Sequence, residues 1–252
     1  MKKIHVLITL LSLLNFAFAQ KKATLHYQLC QDIYGRNDKS SLQQYYQNGK
    51  SLELPIISDV KSDTVVDGLT TNIKQIIRVD RNRLPFILKT AERKSLIYAK
   101  EIWTKPTQLV TDTFNKFKWK ILNETKNIGN VNCTKAETYF RGRNYVAWFK
   151  KDSNIQTGPW KFGGLPGIIY EVQDTDGMFK YELTGIELVD SFPIELKTPE
   201  GYKDNLIITH GEFMALWKAN KIELEKDNDK VEYTFTGSNT IKTHVAPIQE
   251  LY

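Results

Sequence analysis

A chain of 252 residues with 41% hydrophobic, 12% aromatic and 25% charged side chains has enough apolar surface for a sizeable core. That content excludes intrinsic disorder. Two cysteines exclude a disulfide-rich scaffold, and 14 glycines with 8 prolines exclude collagen or a low-complexity linker. The formal net charge is +6, but the lysines are scattered. They do not gather into the aromatic-interleaved stripe that nucleic-acid binding calls for, so no nucleic-acid partner is expected.

The N-terminus has a distinct pattern. Lys2 and Lys3 precede a mostly apolar run from Ile4 to Leu14, and Ala17-Phe18-Ala19 supplies the small-x-small pattern that a signal peptidase cuts. Residues 1–19 therefore read as a cleaved signal peptide and 20–252 as a single exported β-rich domain, whose net charge falls to +4. A membrane span needs about 20 apolar residues, and no segment reaches that length, so a membrane-spanning chain is not expected. No cysteine stands at the cut, which argues against a lipoprotein. Cys30 and Cys133 either form one disulfide in the oxidising compartment or stay buried thiols on neighbouring strands. Neither has a second ligand at metal spacing, so neither metal nor cofactor is expected.

Further along, period-two alternation outweighs period 3.6. Ala23 to Leu29, Ile76 to Val79, Phe86 to Lys89 and Ser95 to Trp103 read as strands, whereas residues 38 to 72 are polar, poorly periodic and expected to include a long or insertion-bearing loop. Lys116 to Ile121 alternates lysine with apolar residues and reads as a strand. Cys133 to Phe140 and Tyr145 to Phe149 form a hairpin across Arg141-Gly142-Arg143-Asn144. Ile168 to Val172 and Phe179 to Val189 form another across Asp174-Thr175-Asp176-Gly177. Apolar residues fall at odd positions up to Leu183 and at even positions from Ile186, a phase flip across Gly185 that a β-bulge would produce. Thr209-His210-Gly211-Glu212 is a capping box, followed by a helical apolar stripe of Phe213, Leu216, Trp217 and Ile222. The expected fold is mainly β with a minor α component: a strongly curved antiparallel sheet or open half-barrel with one late amphipathic helix packed on it.

The most distinctive stretch runs from Gly158 to Ile169. Pro159 pre-sets one turn, and Leu165-Pro166-Gly167-Ile168 has the proline–glycine order of a type II turn, with glycine taking the positive φ. Trp160, Phe162, Gly163, Gly164, Leu165, Pro166 and Gly167 thus read as a structural corner. A binding role for the two aromatics is the alternative.

Gly164-Leu165-Pro166-Gly167-Ile168-Ile169 closely resembles the name-giving motif of the GLPGLI family of exported Bacteroidetes proteins. Trp119, Gly129 before Cys133, Phe140-Arg141-Gly142-Arg143, Ala147-Trp148-Phe149, Gly158 to Phe162 and the closing Pro247 to Leu251 are similar to that family's pattern. The resemblance implies a periplasmic or outer-membrane-associated place in the envelope. Genes of that family often stand near TonB-dependent transporters, so such a transporter or another envelope protein is an expected partner. The strand-rich centre with a late helix is also compatible with the open half-barrel of periplasmic lipoprotein carriers, an analogy of fold.

Catalytic motifs are not evident: there is no Gly-x-Ser-x-Gly, His-Glu-x-x-His, Walker loop or Gly-x-Gly-x-x-Gly. His26, His210 and His244 lie far apart, and Asp174-x-Asp176-Gly177 lacks the later acids of a calcium loop. Glu171 beside that turn would suggest a carboxylate pair, but alternation places it on a solvated face. The expectation is a non-catalytic envelope protein that binds a lipid, another apolar ligand or a partner protein in support of outer-membrane transport or maintenance. The alternative is a glycan-directed envelope hydrolase using carboxylates not identified by motif.

Overall fold

Alternating segments punctuated by tight turns must pair as hairpins, and they do so in two runs. The structure, a computed structural model, describes residues 22–33, 36–57, 61–64, 73–76, 83–102, 105–113 and 116–228. The expected signal peptide, His244 and the closing Pro247 to Leu251 lie outside the described residues. The first run comprises β1 (Lys22–Ile33), β2 (Arg36–Gln47), β3 (Lys50–Pro55), the separate pair β4 (Lys61–Thr64) and β5 (Ile73–Ile76), β6 (Ile87–Thr90), β7 (Ser95–Ile102) and β8 (Lys105–Thr113). The second comprises β9 (Lys120–Ile128), β10 (Val131–Phe140), β11 (Arg143–Lys151), β12 (Gly167–Asp174) and β13 (Phe179–Val189). β14 (Ile207–Thr209) and helix α1 (His210–Asn228) follow.

Twelve strands form one sheet in the order β14-β8-β7-β6-β3-β2-β1-β13-β12-β11-β10-β9. The two runs are joined where β1 pairs antiparallel with β13, and β14 pairs parallel with β8. Among the described residues the protein is mainly β, with a large curved sheet that stays open and a single late α-helix. Connectivity requires the curvature. In a flat sheet, the ten strand spacings between β8 and β9 would separate them by about 48 Å. The chain from Thr113 to Lys120 can reach only about 25 Å, so the sheet must bend until its two ends approach each other.

Bulges provide the bend. β1 shifts register against β13 between His26 and Tyr27, where Leu183 and Gly185 are the successive partners and Thr184 is extra. This matches the phase flip at Gly185. Irregularities also interrupt β9–β10, β11–β12 and β7–β8.

Three readings of the sequence need correction. Residues 38 to 72 do carry an insertion after β3, but they are not only polar loop, because β2 and β3 pair across Asn48-Gly49. Both residues have positive φ (49° and 75°), as a two-residue hairpin turn of this hand requires. Lys116 to Trp119 is not a strand: it bridges the gap between the sheet's ends and has no neighbouring strand to pair with. Its alternation still has a structural use, because Phe117 and Trp119 turn into the aromatic core, Phe117 lying 4.2 Å from Phe140 and 5.1 Å from Phe162 between ring centroids. Finally, α1 buries Phe213 and Met214, with Trp217 partly covered, against Leu96, Tyr98 and Val110. Leu216 and Ile222 are about half exposed. The capping box forms as expected: Glu212 N–H donates to Thr209 Oγ1 at 3.2 Å, and a Glu212 carboxylate oxygen accepts from Thr209 N–H at 2.7 Å.

Side chains on opposite faces of β7 and β8 build separate layers, since neighbours along a strand point to opposite sides. Tyr98 and Val110 meet α1. Ala99 and Leu109 instead join Leu52, Phe86 and Leu88 under Tyr202, from the segment that leads to β14.

The glycine-rich corner departs from a type II turn at Gly167. Gly164 carries the positive φ (85°), whereas Gly167 opens β12 so close to β11 that a Cβ there would lie 1.8 Å from Lys150 O. Gly167→Ala must therefore push main chain apart and should cost about 3 kcal/mol in urea unfolding. Gly164→Ala, which meets a conformational penalty, should cost only about 1 to 2 kcal/mol. Equal losses would contradict this assignment of roles.

Candidate functional site

The chain from Asp152 to Pro166 links β11 to β12 by crossing the inner face of the sheet. Its backbone needs hydrogen-bond partners there, because water does not reach the interior. Three buried polar side chains on successive strands supply them. Gln44 of β2 donates through Nε2 to Gly158 O at 2.8 Å and accepts from Thr157 Oγ1 at 2.9 Å. Glu53 of β3 accepts the Trp160 N–H at 3.0 and 3.1 Å and a Gln44 Nε2 proton at 3.2 Å. Lys89 of β6 donates to Gly158 O and, at 3.3 Å, to Phe162 O. Burial pushes the Glu53 carboxyl up, while Lys89, the Trp160 N–H and Gln44 hold it back. Burial pulls the Lys89 ammonium down to about 8 against the opposing charge of Glu53.

This clamp fixes the aromatic corner. Phe162 N–H donates to Pro159 O at 3.0 Å, closing a turn in which Trp160 takes a positive φ of 48°. For a bulky residue that conformation costs about 1 to 2 kcal/mol, and Glu53 holds its N–H in place. Phe162 is buried among Phe117, Tyr145 and Tyr181. Trp119 Nε1 donates to Gly163 O at 2.8 Å, and Gly167 N–H to Leu165 O at 2.8 Å in a three-residue turn centred on Pro166. Trp160 is only partly buried. Its ring forms one wall of a cavity of about 370 Å³, which also takes in Leu29, Leu42, Leu54, Phe86, Tyr98 and Phe213. Its lining includes Leu54 and Pro55 at the end of β3 and Pro85, Phe86 and Ile87 at the start of β6, so the insertion carrying β4 and β5 leaves and returns beside it.

Beside the cavity, a buried carboxylate ties the two ends of the sheet together. Asp112 of β8 accepts from Arg141, in the β10–β11 turn, at 2.7 and 2.9 Å, and from Lys161 at 3.1 Å. Lys116 lies 3.7 Å away, and His210 Nδ1 lies 4.0 Å from Asp112 and 2.9 Å from Tyr98 OH. Burial alone would push the Asp112 carboxyl up. The Arg141 hydrogen bonds, the charges of Lys161 and Arg141 and the Thr113 N–H outweigh it and hold the group well below the usual carboxylate range.

The other residues singled out from sequence do not join this site. Cys30 and Cys133 are free thiols separated by β13, β12 and β11, about 19 Å of sheet, so they are not bridged and not on neighbouring strands. Burial pushes the Cys133 thiol up to about 11. Asp174 closes its hairpin by accepting from Phe179 N–H at 2.9 Å and Arg143 at 3.0 Å, rather than pairing with Glu171. Glu171 is mostly covered, not solvated, and binds Lys126 at 2.8 Å. His26 lies 3.5 Å from Glu187. Among the described residues no group of three or more His, Cys, Asp or Glu is placed to hold a metal ion, and no helix is long and apolar enough to cross a membrane.

Sequence reasoning missed Gln44, Glu53, Lys89 and Asp112. The available signals were the Asn48-Gly49 turn, which makes strands of the polar stretch, and Lys89 closing the apolar run Phe86-Ile87-Leu88.

No family model matches the chain, and no curated protein matches it. Among solved structures it is similar to PNGF-II in two crystal forms. For the C2 form the identity is 13% over 80% of this chain and 33% of that one, with a TM-score of 0.50. For the P21 form it is 12% over 80% and 34%, with a TM-score of 0.51. The chain thus spans about a third of the length of PNGF-II, and at this identity the likeness shows the fold alone. A DUF1329 family protein from Desulfovibrio piger aligns over 69% of this chain and 88% of its own at 6% identity, with a TM-score of 0.28 too low to bear on the fold.

Two outcomes follow from these buried charges. Glu53→Gln leaves Lys89 without its counter-charge and should lose about 3 to 5 kcal/mol in urea unfolding. Adding Lys89→Met should restore at least about 1 kcal/mol relative to the summed single losses; strict additivity would show that the two groups do not act as a pair. Because the folded Asp112 carboxyl is held well below its unfolded value, its contribution is complete above about pH 5 and is lost progressively as pH falls through the unfolded value of about 4 and on through the lower folded one. Asp112→Asn should therefore flatten the fall in melting temperature over that interval, and an unchanged acid slope would refute the assignment.

Proposed function

We propose that the protein is an exported envelope protein of the GLPGLI type whose open sheet binds a hydrophobic ligand at its mouth, in support of outer-membrane transport or maintenance. The observation that carries this reading is the cavity of about 370 Å³ beside Trp160, whose walls are mostly aliphatic and aromatic side chains. Its size falls within the range of small-molecule sites, and such sites are mostly apolar with a few placed polar groups. The strained Trp160 backbone supports it further, since strain of this kind persists where surrounding structure holds a side chain toward a ligand.

Glycoside hydrolysis would need two carboxylates facing each other across a cleft. Among the described residues Glu53 is the one acid lining the cavity, and the Trp160 N–H and Gln44 already occupy it. That arrangement favours binding. The position in the envelope and the partnership with a TonB-dependent transporter rest on the resemblance of the Gly164 to Ile169 motif.

Isothermal titration with dodecyl maltoside below its micelle concentration provides the test. Wild type should bind at one saturable site, and Leu42→Trp, which fills the cavity, should weaken binding at least about tenfold while melting like wild type. Absence of saturable binding to wild type, or full binding by a well-folded Leu42→Trp, would refute the reading.

A further inference from the structure

Strand register fixes the outline of the cavity, and that outline narrows the class of apolar molecule it suits, an inference that rests on the binding reading above. Gln44 turns inward to the loop, so by alternation Leu42 and Ser40 lie on the same face of β2. Pairing carries this face across the neighbouring strands. Ser40 stands opposite Leu29 of β1, and Leu29 opposite Tyr181 of β13. Leu42 stands opposite Pro55 of β3, Glu53 opposite Ile87 of β6, and Ile87 opposite Tyr98 of β7. All of these residues line the cavity. It therefore runs crosswise over six adjacent strands, from β13 to β7, about 24 Å measured along the sheet. No strand lends it more than two residues of the inner face, as Ser40 and Leu42 do on β2, so along the strands it is only about 7 Å wide.

Width and volume each limit what such a slot can hold. At about 30 Å³ per water-sized group, a cavity of about 370 Å³ takes on the order of a dozen methylene groups, the content of one alkyl chain. The paired chains of a membrane phospholipid need far more space. A rigid fused-ring skeleton needs breadth in two directions, and the slot is long in only one. Trp160 from the loop and Phe213 from α1 line the cavity over the same face, since α1 packs on Tyr98. A chain lying crosswise would thus meet aliphatic and aromatic side chains along its length. We propose that the ligand is a lipid with one unbranched chain of about a dozen carbons, lying across the strands between the Leu29–Ser40 pair and the Ile87–Tyr98 pair.

Four maltosides, each titrated into the full chain below its micelle concentration, separate the possibilities: octyl, decyl and dodecyl maltoside, and 2-butyloctyl maltoside, the branched isomer of the dodecyl compound. The two isomers share a head group and a carbon count, so transfer from water favours them nearly equally and a difference in affinity reports shape. Dodecyl maltoside should bind at least about tenfold more tightly than its branched isomer. Each shortening of the linear tail by two methylene groups should weaken binding about tenfold. Equal binding of the two isomers would overturn the single-chain assignment while leaving apolar binding intact. Octyl maltoside binding as tightly as dodecyl maltoside would overturn it likewise, since a shorter tail would then fill the site. Failure of all four to bind would overturn both the assignment and the binding reading.

Discussion

A loop backbone lying inside a protein must have its polar groups bound, and the rest of this structure depends on how that need is met between Thr157 and Phe162. Gln44, Glu53 and Lys89 stand on three adjacent strands and turn toward the loop, where nonpolar residues would ordinarily complete the core. Their hydrogen bonds allow the chain to cross the inner face of the sheet, bringing Phe162 into the aromatic cluster and setting Trp160 at its edge. A wholly apolar row on β2, β3 and β6 would leave Gly158 O and Trp160 N–H without partners. The polarity of Gln44 and Glu53 within that stretch, and of Lys89 beyond it, is therefore a structural requirement of the loop they hold.

Curvature supplies the second constraint. The short connection between β8 and β9 draws together the ends of a twelve-stranded sheet, and bulges make the bending possible. No backbone ladder joins the ends among the described residues. Side chains do so instead: Asp112 with Arg141 and Lys161, and Phe117 against Phe140 and Phe162. Lys161 follows Trp160 directly in the chain, so the residue that helps hold the sheet's ends is covalently next to the residue that walls the cavity. Loop clamp, aromatic corner and ionic closure form one connected assembly, and the cavity lies at its margin.

The likeness to PNGF-II fits a fold that occurs both as most of this chain and as part of a longer one. The cavity beside Trp160 lies between elements that are distant in sequence. β3 leaves and β6 returns there around an insertion, and α1 adds Phe213 from the far end of the described chain. An apolar hollow assembled from the first strands, the central loop and the late helix brings together residues that no local motif could connect.

Local chemistry determined a good deal on its own. Alternation and turn residues defined the hairpins from Val131 to Val189, the phase flip marked the bulge opposite His26, and Thr209 with Glu212 marked the start of α1. Such features depend on neighbours in sequence, through dihedral preference and side-chain reach. Asn48-Gly49 was equally legible as a hairpin turn, but the polarity of its flanking strands obscured it, since their inward residues bind a loop more than a hundred positions away. The role of Gly167 could not be read locally either, because its need to be glycine comes from Lys150 O on the adjoining strand rather than from its own dihedral. Tertiary structure alone decided that Cys30 and Cys133 stand three strands apart, that Asp112 gathers its cations and that a cavity opens beside Trp160. Each depends on distances set by the curvature of the whole sheet, and that curvature follows from the balance between the width of twelve strands and the reach of one short connection.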